Sequence, residues 1–191
     1  PQKHFDTLLY TGNASDQKIT GLEFKPDMIW FKSRTSTSTH GMADSVRGRS
    51  KLFYPDTNQA EQTSNTNRDL VSFDHDGFTL GNPQNLNSTN GSGLSIVAWC
   101  WKGDGAAVSN SDGSITSSVS ANQEAGFSIV TFTGTGSAGT IGHGLGKAPD
   151  IVITKRRNAA QAWFVHHKNL SNGHYIRLNA NNAQGGDTNV Y

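Results

Sequence analysis

An internal duplication constrains this chain more than any other feature. "FDTLLYTGNASDQKITGLEFKPDMIWFKSR" from Phe5 and "FSIVTFTGTGSAGTIGHGLGKAPDIVITKRR" from Phe127 are copies of one pattern. Phe5 matches Phe127, Thr11-Gly12 matches Thr133-Gly134, Gly21-Leu22 matches Gly144-Leu145, and Pro26-Asp27 matches Pro149-Asp150. Lys32 and Arg34 match Lys155 and Arg157. The offset is 122 residues at Phe5 and Phe127 and 123 from Gly21 and Gly144 onward, so one residue has been gained in a turn, where length is tolerated. The same offset continues faintly to Asn58 and Ala60 against Asn181 and Ala183. A period this long is not a solenoid unit and implies two related domains or two halves of a pseudo-symmetric one. Residues 5–60 and 127–183 are therefore expected to form equivalent strand sets.

Each repeat reads as strand and turn. Phe5 to Tyr10, Asp27 to Arg34, Leu70 to Phe73, Phe78 to Leu80, Leu94 to Lys102, Phe127 to Thr133, Ile151 to Lys155, Trp163 to His167 and Tyr175 to Leu178 are short and rich in β-branched and aromatic residues. Gly, Asn, Asp or Pro bounds them, and no stretch sustains the apolar 3.6 period of a helix. Met28-Ile29-Trp30-Phe31 and Ile151-Val152-Ile153 are apolar on both faces, which predicts two central strands entered from Pro26 and Pro149. The expected fold is all-β, an antiparallel β-sandwich with an internal duplication. Residues 1–104 hold the first copy, residues 105–125 a polar Ser/Gly-rich linker with one edge strand, and residues 126–191 a second copy that looks truncated. The first repeat continues through "LVSFDHDGFTLG" and "GLSIVAWCWK", whereas the second reaches Tyr191 before their counterparts. Together with an opening at Pro1-Gln2-Lys3, this reads as a piece of something longer.

Gly134-Thr135-Gly136-Ser137-Ala138-Gly139 fits the G-x-G-x-x-G dinucleotide fingerprint, which needs a helix starting at its last glycine to hold the pyrophosphate. Here Gly142, Gly144 and Gly146 follow, each costing a helix about 1 kcal/mol relative to alanine. Where a ribose-binding acid should stand the chain reads Lys155-Arg156-Arg157. The first repeat keeps only the first glycine, as Gly12. The segment is predicted to be an exposed β-loop, and no cofactor is assigned.

Composition narrows the function classes. A formal net charge of +1 leaves no concentrated basic face for nucleic acid, and Lys155-Arg156-Arg157 is a short run at a strand end. No apolar stretch approaches the roughly 18 residues of a membrane span, so no membrane insertion is expected. Cys100 is the only cysteine, which excludes an internal disulfide framework and leans towards assembly in a reducing cytosol.

Four residues stand out as candidate ligand contacts. Trp99 and Trp101 lie on one face of a strand, with Ala98 and Cys100 on the other. Two indoles in this spacing suit a sugar-binding platform, and they equally suit a sandwich core shared with Val97, the reading taken here. Asp44 and Arg47 in "DSVRG" suit a carboxylate or sulfate held by the guanidinium fork, or a structural pair fixing a loop. "DHDG" from Asp74 reads as a hairpin turn, because the twelfth position of a calcium loop would need a glutamate and residue 85 is Asn85. His143, His166, His167 and His174 have no diagnostic metal spacing. Glu23, Glu61 and Glu124 sit in loop-like contexts, no carboxylate pair of a glycosidase is apparent, and the G-x-S-x-G elbow is absent.

"YTGN", "ITGLEFKPDMIWFKSR", "DSVRG", "SFDHDGFTLG" and "VAWCWK", followed by "GSITSSVSANQEAGFSIVTFTGTG" and "GHGLGKAPDIVITKR", resemble the repeated domain of tail-fibre-like virion appendage proteins of marine, often cyanobacterial, tailed bacteriophages. The resemblance spans nearly the whole chain. It implies a sandwich in the style of concanavalin-like and SPRY-like jelly rolls, located on the virion after assembly in the host cytoplasm. It also implies other virion proteins as partners and self-association in a fibre. The expected role is non-enzymatic and structural, with host-surface glycan as a further partner through loops Thr35 to Thr39, Asn82 to Ser92 and Asn181 to Asn189. A dedicated glycan-recognition module is the first alternative and a polysaccharide depolymerase the second.

Overall fold

A computed structural model describes residues 2–65, 67–84 and 86–186. The first repeat forms β1 (Phe5–Thr11), β2 (Gln17–Thr20), β3 (Met28–Ser33), β4 (Gly41–Asp44), β5 (Lys51–Leu52) and β6 (Gln62–Thr63). It continues with β7 (Leu70–Asp74), β8 (Gly77–Leu80), one helical turn α1 (Asn87–Asn90) and β9 (Ser95–Trp101). β10 (Val108–Asn110) and β11 (Ser117–Asn122) precede the second repeat, which forms β12 (Phe127–Phe132), β13 (Ile151–Thr154), β14 (Phe164–His167), β15 (His174–Arg177) and β16 (Gly185–Gly186). All pairings between these strands are antiparallel. The fold is all-β and sandwich-like, and each of the nine segments read from sequence carries a strand.

Two sheets close the first sandwich, one ordered β1-β9-β3-β4 and the other β2-β8-β7. Between them lie Ile29, Phe31, Ala43, Ala98 and Cys100 from the larger sheet and Ile19, Leu70, Phe78 and Leu80 from the smaller. Strand alternation produces this layer, since every second residue of β3 and β9 points inward. Phe31 and Phe78 meet edge to face across it, with ring centroids 5.5 Å apart. Leu22, Phe24, Leu52, Tyr54 and Leu86 seal its margins from the connections.

Except at β2, whose counterpart residues 139–142 carry only an isolated bridge between Ile141 and Ile115, the second repeat reproduces the strands of the first from β1 to β6. β13 pairs with β14 through Ile151↔His167 and Thr154↔Phe164, the counterparts at offset 123 of Met28↔Asp44 and Phe31↔Gly41 in β3 and β4. The Met42↔Phe53 bridge recurs as Val165↔Ile176. β5 and β6, joined through Lys51↔Thr63, recur as β15 and β16, joined through His174↔Gly186. Side chains follow the same register: His40 N donates to Asp56 Oδ1 at 3.0 Å, and Trp163 N donates to Asn179 Oδ1 at 2.9 Å.

Three expectations need correction. Residues 105–125 are more than linker with one edge strand, because β11 is paired on both sides, by β10 and β12. β13 is not central among the described strands: it ends the sheet β13-β14-β15-β16 and pairs only with β14. Trp99 and Trp101 are half-buried and lie outside the inter-sheet core, which Ala98 and Cys100 of the same strand reach instead. The physical reason in the first two cases is pairing at long range, which local composition does not encode.

Candidate functional site

Asp44 ends β4, and Arg47 follows after one turn. Arg47 N donates to Asp44 Oδ1 at 2.8 Å, and its Nε donates to Asp44 Oδ2. Nη1 reaches Glu61 Oε2 at 3.1 Å and the carbonyl of Lys51 at 3.2 Å, while the Phe53 ring lies 3.9 Å from the guanidinium carbon. With its side chain only 3% exposed, the guanidinium is engaged on all sides by the protein itself. The pair braces the β4–β5 connection, and Glu61 extends it to Arg157 of the second repeat. Burial opposes ionisation of Glu61, but hydrogen bonds from Arg157 and Arg47 outweigh it and hold the carboxyl below its usual range.

The tryptophan face of β9 is where the repeats meet. Trp101 lies against Phe5, with centroids 4.9 Å apart, and stacks on Phe127 at 6.2 Å with 23° between the planes. Trp99 meets Trp30 edge to face at 6.2 Å, and Trp30 Nε1 donates to His40 Nδ1 at 2.9 Å. Trp163 packs on Met42 and Phe53 with Met28 and Trp30 beside it, and its Nε1 donates to the Tyr54 carbonyl at 3.1 Å. Trp101 and Trp163 thus join one repeat to the other, whereas Trp99 packs on Trp30 within the first.

At one end of the first sandwich, two of the loops proposed for glycan contact are joined. Ser88, Thr89 and Asn90 are fully buried: Ser88 Oγ donates to the Thr39 carbonyl at 2.6 Å, and Asn90 Nδ2 to the carbonyls of Ser15 and Gly81. Thr89 Oγ1 and the Gln84 amide converge on Asp69 Oδ1. This network holds exposed Thr35, Thr37, Asn82 and Asn87 on a fixed frame. The third loop, Asn181 to Asn189, is exposed from Asn181 to Gln184, and its residues 187–189 lie outside the described residues.

A wide groove of about 410 Å³ opens beside β12, lined by Thr131, Phe132 and Thr133, by Ser109 and Ser118, and by Arg157 beyond the end of β13. Residues 132–140 are exposed and no helix follows Gly139, in keeping with the loop reading of the glycine-rich segment. "DHDG" forms the β7–β8 hairpin, where Asp74 accepts from Ser72 and Thr79 hydroxyls at 2.7 Å. His143, His166, His167 and His174 do not assemble: among the described residues no three His, Cys, Asp or Glu side chains are grouped to hold a metal ion. No described helix is long and apolar enough to cross a membrane. Glu61, Arg157 and Trp163 were not singled out in sequence. The match of Arg157 to Arg34 marked a strand end, but only the fold places it against Glu61.

No curated protein and no solved structure matches the chain. Over residues 1–191 it matches the family described as "Domain of unknown function (DUF7483)", and the chain belongs to that family.

Proposed function

We propose that this chain is a non-enzymatic structural module of a tailed-phage virion appendage, built to be arrayed with other virion proteins and with further copies of itself. The observation that carries the reading is the reuse of one strand pattern at a fixed offset, with the two repeats locked by Trp163 and by the Arg47–Glu61–Arg157 chain. Repetition with internal bracing suits a load-carrying rod of like units better than a single cleft. The virion assignment rests on the motif resemblance, and the ordered loop frame supports a secondary contact with host glycan. Weak contacts suffice there, because multivalent display raises avidity by roughly 10² to 10⁴.

The test is immunogold labelling of purified particles with antibodies to residues 1–191. Decoration of the appendages is expected; presence in infected-cell lysate but not in particles overturns the proposal. Incubation of the chain with host-surface polysaccharide should release no new reducing ends. Turnover abolished by Asp44→Asn or Asp74→Asn would favour a depolymerase instead.

A glycan-recognition module is the second reading, favoured by the Ser88-Thr89-Asn90 turn that fixes the loops bearing Thr35, Thr37 and Asn87. Retention on a glycan array that is lost with Thr35→Ala and Asn87→Ala would raise it above the first.

A further inference from the structure

In the first repeat β9 lies between β1 and β3 and pairs with both along its whole length. Two residues fix its ends. Gly12 N donates to the Leu94 carbonyl at 2.9 Å where the strand begins, and a Cβ on Gly12 would stand 2.3 Å from the Gly91 oxygen. Asp27, buried, accepts from Gly103 N at 2.9 Å where the strand has ended. Arg34 N donates to the Ser95 carbonyl at 2.7 Å on the β3 side.

The second repeat keeps all three positions as Gly134, Asp150 and Arg157, and it keeps β12 and β13 as the counterparts of β1 and β3. Nothing described lies between those strands. β12 pairs only with β11 and β13 only with β14, Gly134 has no atom within 4 Å of a Cβ position, and Asp150 is exposed. Apolar positions that are flanked by β9 and covered by the facing sheet in the first repeat, as Ile29 is by Cys100 and by Phe78 and Leu80, are bare in the second. Ile29 is 0% exposed and its counterpart Val152 is 40% exposed, with Phe132, the counterpart of half-buried Tyr10, at 46%. Phe132, Thr133 and Arg157 are the counterparts of Tyr10, Thr11 and Arg34, which flank Ser95 and Ile96 in the first repeat, and they share a groove with Ser109, Thr116, Ser117 and Ser118 of the β10–β11 side.

We infer that the unpaired edges of β12 and β13 form a strand-acceptor site, and that its occupant is an extended segment of β9's kind from polypeptide outside residues 1–191. Such a segment has alternate apolar side chains and glycine at both ends. It pairs its backbone with two unpaired strand edges at once, which gives affinity, while its alternate side chains cover Val152 and Phe132, which gives specificity. The inference rests on the duplication and stands apart from the virion assignment.

The experiment uses the 191-residue chain and a labelled synthetic peptide with the sequence of residues 91–104, followed by fluorescence anisotropy and amide hydrogen exchange. Saturable binding is expected, with slowed exchange at residues 128–132 and 151–154 and no binding of a scrambled peptide. Val152→Lys should weaken binding by at least about tenfold, close to 1.4 kcal/mol. Leu9→Lys, on an exposed position of β1, should leave it unchanged, and circular dichroism confirms that both variants fold. Equal binding of the scrambled peptide, or bound peptide without protection of β12 and β13, overturns the inference. A chain already dimeric through β13 that excludes the peptide overturns it too, as does a glycan that protects these strands where the peptide does not. Absence of peptide binding in a chain that still decorates particles sinks the inference and leaves the proposed function standing.

Discussion

Arg157 of the second repeat forks both oxygens of Glu61 of the first, Nε to Oε2 and Nη2 to Oε1, each at 2.9 Å. The Glu61 side chain is 10% exposed and also receives buried Arg47, so one carboxylate holds two guanidinium groups from two repeats. A carboxyl whose folded pKa is depressed adds stability above its ordinary value of about 4.5 and loses it as pH falls through the lower folded value. Glu61→Gln should therefore destabilise by about 2–3 kcal/mol near neutral pH, the cost of unpairing a largely buried charge. The deficit should shrink below about pH 4, where the wild-type carboxyl begins to lose its own advantage. Urea unfolding at the two pH values checks both the size and the direction.

Trp163 offers a test of how tightly the repeats are joined. Its side chain is buried between Met42 and Phe53, on residues of the first repeat, so Trp163→Ala should cost about 3–5 kcal/mol. The counterpart position in the first repeat is His40, which is half-buried and accepts one hydrogen bond from Trp30. His40→Ala should cost nearer 1 kcal/mol. Equal losses in thermal or urea unfolding would mean that Trp163 does not anchor the second repeat.

Much of this was legible in the sequence, and for identifiable reasons. Met28 to Phe31 and Leu94 to Lys102 announce strands through β-branched and aromatic residues, and the offset between Pro26 and Pro149 transfers the reading to β13. An edge strand was expected in residues 105–125, but the central place of β11 was not legible, because "SSVSAN" is serine-rich and its position is set by its ladders with β10 and β12. β5, β6 and β16 are two residues long, too short for any period to show. The Asp44–Arg47 pair was visible from spacing alone. Its third member, Glu61, lies 14 residues beyond Arg47, and nothing local marks it.

The two faces of β9 should respond differently to chemistry. Cys100 is fully buried in the inter-sheet core, and burial, aided by the nearby Asp6 carboxylate, pushes its thiol pKa well up. Both effects suppress the reactive thiolate, so a disulfide reagent at mildly alkaline pH should label Cys100 only at the rate of unfolding. Trp101, on the opposite face and half-buried, should cost about 2 kcal/mol on Trp101→Ala, less than a fully buried aromatic. Fast labelling of the native chain would place β9 at the surface and contradict the sandwich core.

Lys32 and Lys155 close the same loop in the two repeats. Lys32 Nζ donates to the carbonyls of Ser36 and Ser38 at 3.1 and 3.0 Å, and Lys155 Nζ to those of Arg156 and Ala159 at 2.8 and 3.2 Å. Ser36 and Ala159 are themselves counterparts at offset 123, so a single backbone clamp has been kept although the loop side chains differ. Lys32→Met and Lys155→Met keep most of the aliphatic stem and remove the donors, so each should cost about 1 kcal/mol. Each should speed amide exchange only in its own loop, residues 34–40 for Lys32 and 156–162 for Lys155. The first loop carries Thr35 and Thr37 of the proposed glycan surface, so Lys32→Met should also lower glycan retention, while Lys155→Met should not. Loss of retention in both variants would locate the glycan contact elsewhere than the end of the first sandwich.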